Sequence, residues 1–69
     1  MLVKVAPVGE RVVEVNTVNG ETIADVLAIA GVEINGRRIL LDNKDADETT
    51  KITRDGSVVV LAQKMKGGR

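Results

Sequence analysis

Residues 22–31 read TIADVLAIAG, and this stretch decides the fold class because it is the only good helix pattern in the chain. Thr22 is a suitable N-cap with Asp25 at the partner position of a capping box, and Gly31 can end the helix in the left-handed conformation. The apolar residues recur at the spacing i, i+3, i+4 and i+7, which forms one stripe: Ile23, Val26, Leu27 and Ala30. A helix this short is marginal alone, so its stripe must dock on a sheet.

Strand patterns lie on both sides of this helix. Residues 2–7 and 11–15 are β-branched runs separated by a short Gly-containing loop, which predicts a hairpin with one apolar side on each strand. After the helix, the pattern predicts a central strand at 38–41, a very short edge pairing near 45–46 and a strongly apolar last strand at 58–62.

Turn signals separate these later strands. The predicted turns are Asn35-Gly36, Asn43-Lys44 and Asp55-Gly56, and Ile52 is an isolated apolar anchor in an irregular connection. The resulting order, ββαβ(β)β, predicts an α+β domain with a mixed sheet of four to five strands. The first and last strands are expected to be parallel and central, with the helix across one face. That layout is the β-grasp, the ubiquitin-like fold.

Length and composition exclude most enzyme classes. A chain of 69 residues forms one small domain, with no room for a deep catalytic cavity. It contains no Cys and no His, so disulfides, thiolate metal sites, the usual zinc sites and the commonest general base are all missing. We therefore expect a protein that is not an enzyme and that carries neither a metal nor a cofactor.

The charge balance and the lack of aromatic residues bear on partners. Ten basic residues offset ten acidic ones, and no Phe, Tyr or Trp is available for stacking on bases or anchoring in a membrane interface. Neither a signal sequence nor an apolar run of membrane-spanning length is visible. We expect a soluble, cytoplasmic protein that binds neither nucleic acid nor membrane.

Two charged groups have alternative interpretations. The acidic residues between 42 and 48 offer oxygen ligands for a cation, but they lack the ordered spacing of a calcium loop, so a solvated loop is favoured; they are Asp42, Asp45, Asp47 and Glu48. Arg37 and Arg38 follow a turn and are suited to gripping a phosphate, yet such residues more often are strand-edge charges that deter aggregation.

Several stretches, taken in order, resemble the small sulfur-carrier branch of the ubiquitin-like proteins, which serves thiamine and molybdopterin synthesis, and its modifier relatives. They are GETI at 20–23, RILLDNKDAD at 38–47, DGSVVVL at 55–61 and the pair Gly67-Gly68. The resemblance implies a β-grasp domain over residues 1–63 and a flexible C-terminal tail over residues 64–69.

In that family the reactive group is the carboxylate after the double glycine, so the resemblance implies activation and conjugation at Gly67 and Gly68. An E1-like adenylating enzyme would use ATP to activate it, for sulfur transfer or for a bond to a lysine. This chain continues to Arg69, so either a peptidase removes that residue or the chain does not conjugate. A non-conjugating β-grasp module for protein–protein interaction is the alternative function.

Candidate partner-binding residues lie on the last strand and just beyond it. If Val59 and Leu61 point into the core, alternation places Val60 and Ala62 on the outer sheet face; the opposite parity is the alternative. Such an apolar patch either docks on an activating enzyme or reflects only β propensity. The tail residues Lys64, Met65 and Lys66 complete the predicted set, and the two lysines either guide the tail into an acidic groove or keep it solvated.

Overall fold

The structure is a computed structural model that describes residues 1–62; residues 63–69 lie outside the described part. It is a small α+β domain in which one helix packs on one face of a five-stranded mixed sheet, as the pattern predicts at this level. The elements are β1 (Leu2–Pro7), β2 (Val13–Asn16), α1 (Ile23–Ala30), β3 (Arg38–Leu41), β4 (Lys44–Ala46) and β5 (Ser57–Ala62).

The sheet order is β2-β1-β5-β3-β4, so β5 is the middle strand. β1 and β5 run parallel, with Val5 opposite Val59, and the other three pairings are antiparallel. The prediction that the first and last strands are parallel neighbours inside the sheet is confirmed. A parallel pair needs a crossover connection, and the chain between β1 and β5 includes the helix that supplies it.

The helix begins and ends where its capping residues predict. The Thr22 hydroxyl accepts the Asp25 amide at 3.2 Å, and the Asp25 carboxylate accepts the Thr22 amide at 3.3 Å. Gly31 follows with φ 73°, and its amide donates to the Ala28 carbonyl at 3.2 Å. A Cβ is disfavoured in that left-handed conformation, so glycine suits the position.

Several boundaries differ from the sequence prediction; β2 ends at Asn16 and β5 begins at Ser57, each one residue outside the predicted range. β2 begins at Val13 instead of residue 11, because pairing with β1 starts at the Val5–Val13 pair and leaves the preceding residues in an exposed loop. The turn after β3 is formed by Asp42 and Asn43, one residue earlier than predicted. Both adopt positive φ, 50° and 71°, which closes a two-residue hairpin and leaves Lys44 as the first residue of β4.

The core lies between the helix stripe and the inner face of the sheet. Ile52 is fully buried although it belongs to no strand, which confirms its predicted role as an anchor. The buried apolar residues are Val3, Val5, Val15, Ile23, Val26, Leu27, Ile39, Ile52, Val59 and Leu61. Within residues 1–62, no helix is long and apolar enough to cross a membrane.

Candidate functional site

The candidate site begins with the two predicted residues of β5, Val60 and Ala62. Val59 and Leu61 are fully buried in the core that they share with the helix stripe, and the alternating residues Val60 and Ala62 are half-buried on the opposite face of the sheet. The predicted parity is therefore confirmed. We call this face, which the helix does not cover, the outer face.

Strand pairing extends these two residues into a larger apolar surface. Val60 is flanked by Ala6 of β1 and Leu40 of β3, and Val58 precedes it on β5 with the same orientation. We call the resulting surface the outer-face strip; it consists of Ala6, Leu40, Val58, Val60 and Ala62, all half-buried. It is an apolar, partly exposed surface on the side of the sheet opposite the helix.

Charged residues border the outer-face strip on both sides. On the β3–β4 side, the Arg38 guanidinium donates to both oxygens of Asp45, Nε at 2.8 Å and Nη2 at 3.0 Å. These hydrogen bonds, and secondarily the positive charge, lower the pKa of Asp45 below its ordinary value. On the other side, Lys4 and Glu14 face each other across β1 and β2. The strip therefore has an apolar centre and a rim of both charge signs, the usual layout of a protein interface.

A shallow depression of about 350 Å³ opens at the start of β5. Val58 and Val60 form its apolar part, and the polar residues Asp42, Asn43 and Arg54 come from two turns. Asp42 is fixed there because its carboxylate accepts the Val58 amide at 2.9 Å and its amide donates to the Val58 carbonyl at 3.0 Å.

Three of the four acidic side chains of the 42–48 segment form hydrogen bonds in the described part of the chain, and Glu48 contributes there only its backbone carbonyl, which accepts the Ala24 amide at 3.0 Å. Asp42 binds the backbone of β5 and Asp45 binds Arg38, as described above. Asp47 accepts the Thr49 hydroxyl at 2.6 Å and the Thr49 amide at 2.9 Å, and these bonds lower its pKa. Within residues 1–62, acidic side chains form no group that could hold a metal ion.

The two arginines considered for phosphate binding also have partners in the chain. Arg37 donates to the Glu10 carboxylate at 3.0 Å and to the Glu33 and Ile34 carbonyls at 2.7 and 3.2 Å. Its side chain is only 15% exposed, so it links the β1–β2 loop to the segment after the helix. Arg38 is held by Asp45. These hydrogen bonds within the chain give both arginines a structural role in place of the phosphate-binding role considered from the sequence.

The remaining predicted site residues lie outside the described residues: Lys64, Met65, Lys66, Gly67 and Gly68. The described part ends at Ala62, which pairs with Arg38 of β3. Beside it, the amide of Val8 donates to the Leu61 carbonyl at 2.9 Å, and the Val8 side chain is 49% exposed. The outer-face strip thus continues to the point where β5 ends.

Sequence reasoning missed several residues of this surface. Ala6, Leu40 and Val58 carried a signal, because each alternates with a buried neighbour in its own strand, but only the register across β1, β5 and β3 brings them together. For Asn43 and Arg54 no such signal exists, since they belong to turns distant in sequence that meet only when the sheet forms.

Comparison with known proteins assigns the chain to no family. No protein-family model matches it, and a search of curated proteins finds no significant match.

Proposed function

We propose that this chain is a ubiquitin-like carrier or modifier with a β-grasp fold. The fold is supported by the order of its elements, by the parallel pair of β1 and β5 inside a mixed sheet, and by the single helix on one face. Because one fold serves many functions, the function itself rests on the outer-face strip and on the sequence that follows β5.

The proposed reaction takes place at Gly68. A peptidase first hydrolyses the bond to Arg69 and frees the Gly68 carboxylate. Two glycines without side chains suit a narrow channel in an E1-like partner. There the carboxylate attacks the α-phosphorus of ATP, forms an acyl-adenylate and releases pyrophosphate. A sulfur nucleophile then displaces AMP to form the thiocarboxylate, or a lysine amine displaces it to form an amide.

The observation that carries this proposal is that the strand at the centre of the outer-face strip is followed, five residues later in the sequence, by the double glycine. β5 contributes Val58, Val60 and Ala62 to the outer-face strip, and the sequence after Ala62 reaches Gly67-Gly68. A partner that docks on the strip therefore binds the strand that directly precedes the reactive glycines in the sequence. Lys64 and Lys66, between the two, would meet acidic residues along the partner's channel.

The first test is the intact mass of the protein recovered from its native host. The proposal expects loss of Arg69, together with replacement of a carboxylate oxygen by sulfur or attachment to another protein through a lysine.

A second test uses the variant Val60→Asp, which places a charge on the outer face without changing the tail. Its modified fraction should fall, whereas Ile29→Asp on the exposed side of the helix should leave it unchanged. Retention of Arg69 without any addition under every growth condition would refute the carrier function.

The second candidate is a non-conjugating interaction module. The outer-face strip favours it, because the strip lies entirely within residues 1–62 and does not depend on the tail. The two functions differ in their response to deletion of residues 67–69. Deletion of residues 67–69 abolishes the function of a carrier. An interaction module still binds its partner after this deletion and loses binding only in the Val60→Asp variant.

A further inference from the structure

The chain contains two Asn-Gly sequences, Asn19-Gly20 and Asn35-Gly36. In such a pair the backbone nitrogen of glycine can attack the side-chain amide carbon of asparagine, because glycine presents no side chain to hinder it. The new C–N bond closes a succinimide ring, and the side-chain nitrogen of asparagine leaves as ammonia. Water then opens the ring at either carbonyl, which yields aspartate or isoaspartate. The only co-reactant is water.

The structure protects Asn19-Gly20 from this reaction. The attacking atom, the Gly20 nitrogen, donates its hydrogen to the Ile52 carbonyl at 2.9 Å, and Ile52 is fully buried. The side-chain nitrogen of Asn19 donates to the Thr53 carbonyl at 3.3 Å. The next residue, Glu21, accepts the Ile52 amide at 2.8 Å. Ring closure at Asn19 therefore requires this segment to separate from the buried anchor.

Asn35-Gly36 lies in a different environment. Both residues are exposed, with φ angles of 51° and 72°, in a turn closed by the Arg37 amide, which donates to the Ile34 carbonyl at 2.9 Å. Within residues 1–62, the Gly36 nitrogen donates to no backbone acceptor, in contrast to the Gly20 nitrogen. The attacking nitrogen has no such hydrogen bond to break, and Ile34, whose carbonyl closes the turn, is only partly buried, in contrast to the fully buried Ile52.

We infer that Asn35 is a site of spontaneous deamidation, and that it reacts in the folded protein well before Asn19. The product has a structural consequence. Isoaspartate adds one carbon to the backbone inside the turn, so the Ile34 carbonyl no longer lies opposite the Arg37 amide. Arg37 also links this segment to Glu10, and the modification therefore releases the contact between the β1–β2 loop and the segment after the helix.

The test is incubation of the full chain in mildly alkaline buffer, followed by digestion and mass spectrometry. Cleavage after Arg11 and Arg37 releases one peptide, 12–37, that carries both sites, so fragmentation compares them within a single molecule. We expect roughly tenfold faster conversion at Asn35, the factor that one typical hydrogen bond contributes. In urea the chain is unfolded and the hydrogen bonds at Asn19-Gly20 are lost, so the deamidation rates of Asn19 and Asn35 should become equal.

The variant Asn35→Asp provides a second measurement. Aspartate tolerates the left-handed region, so the variant should fold, and its ammonia release should drop to the slow rate of Asn19. Equal or faster reaction at Asn19 in the folded chain would overturn the inference. So would an unmodified Asn35 after an incubation in which the urea-unfolded chain has reacted at both sites.

Discussion

Replacement of Ile52 by alanine should destabilise the domain more than its position outside any strand suggests. The side chain is fully buried. Removing three carbons at about 0.8 kcal/mol each costs roughly 2.4 kcal/mol, and a cavity that does not collapse raises the cost toward about 4 kcal/mol. A domain of this length has a total stability of roughly 3 to 10 kcal/mol. The backbone of Ile52 also bonds to Gly20 and Glu21, so loss of packing loosens both segments.

The measurement is urea unfolding followed by far-ultraviolet circular dichroism, since the chain has no aromatic residue for fluorescence. The matched control is Ile29→Ala, the same substitution at a helix position that is 58% exposed. Alanine is the better helix former, so this control should be neutral or stabilising by a few tenths of a kcal/mol. A cost below about 1 kcal/mol for Ile52→Ala, or an equal cost for both variants, would show that the anchor argument is wrong.

Three further predictions concern the helix cap, the ion pair and the outer face. Thr22→Ala should cost about 1 kcal/mol in urea unfolding because it removes one half of the capping box, and Thr22→Ser should restore most of it. Arg38→Ala should raise the pKa of Asp45 toward its ordinary value, measured by NMR titration, because the hydrogen bonds and the charge that lower it are removed. Because the folded-state pKa of Asp45 is lowered, the pair stabilises the protein above the unfolded-state pKa, and this contribution is lost as pH falls through the folded-state value. Val60→Asp should remain folded by circular dichroism, whereas Val59→Asp should unfold, because only the latter buries a charge.

Each of these predictions has an outcome that contradicts it. If Thr22→Ser is as unstable as Thr22→Ala, the hydroxyl is not the capping group. An unchanged Asp45 titration in Arg38→Ala would mean that the two hydrogen bonds do not persist in solution. If Val60→Asp unfolds as Val59→Asp does, both faces of β5 belong to the core. If Val59→Asp stays folded, Val59 is not buried.

The helix and the strand types were predictable because their signals are local. The stripe from Ile23 to Ala30 has helical spacing, and Thr22 and Gly31 are suited to its two ends, so each boundary follows from chemistry within a few residues. The start of β2 and the turn after β3 were placed less well. Arg11 and Val12 have strand propensity, yet the pairing of β2 with β1 ends at Val5–Val13, although β1 itself continues to Pro7 beside β5. Propensity does not report where the pairing of two strands ends.

The candidate site was only partly predictable for the same reason. Alternation along β5 separated Val59 from Val60, but which of them is buried depends on the side where the helix packs. The neighbours Ala6 and Leu40 join Val60 through pairings between segments far apart in the chain. The residues of the shallow depression meet in the same way, from turns that carry no common pattern.

By itself, the sequence determined the elements, their order and the residues with apolar periodicity, because these depend on spacing and local backbone preference. It also determined the double glycine that the proposed chemistry requires. Only the tertiary structure decided which strand face is left uncovered, which residues share it, and why one Asn-Gly pair is held by hydrogen bonds while the other is exposed. These outcomes depend on contacts between distant segments, whose formation is decided by the packing of the whole domain.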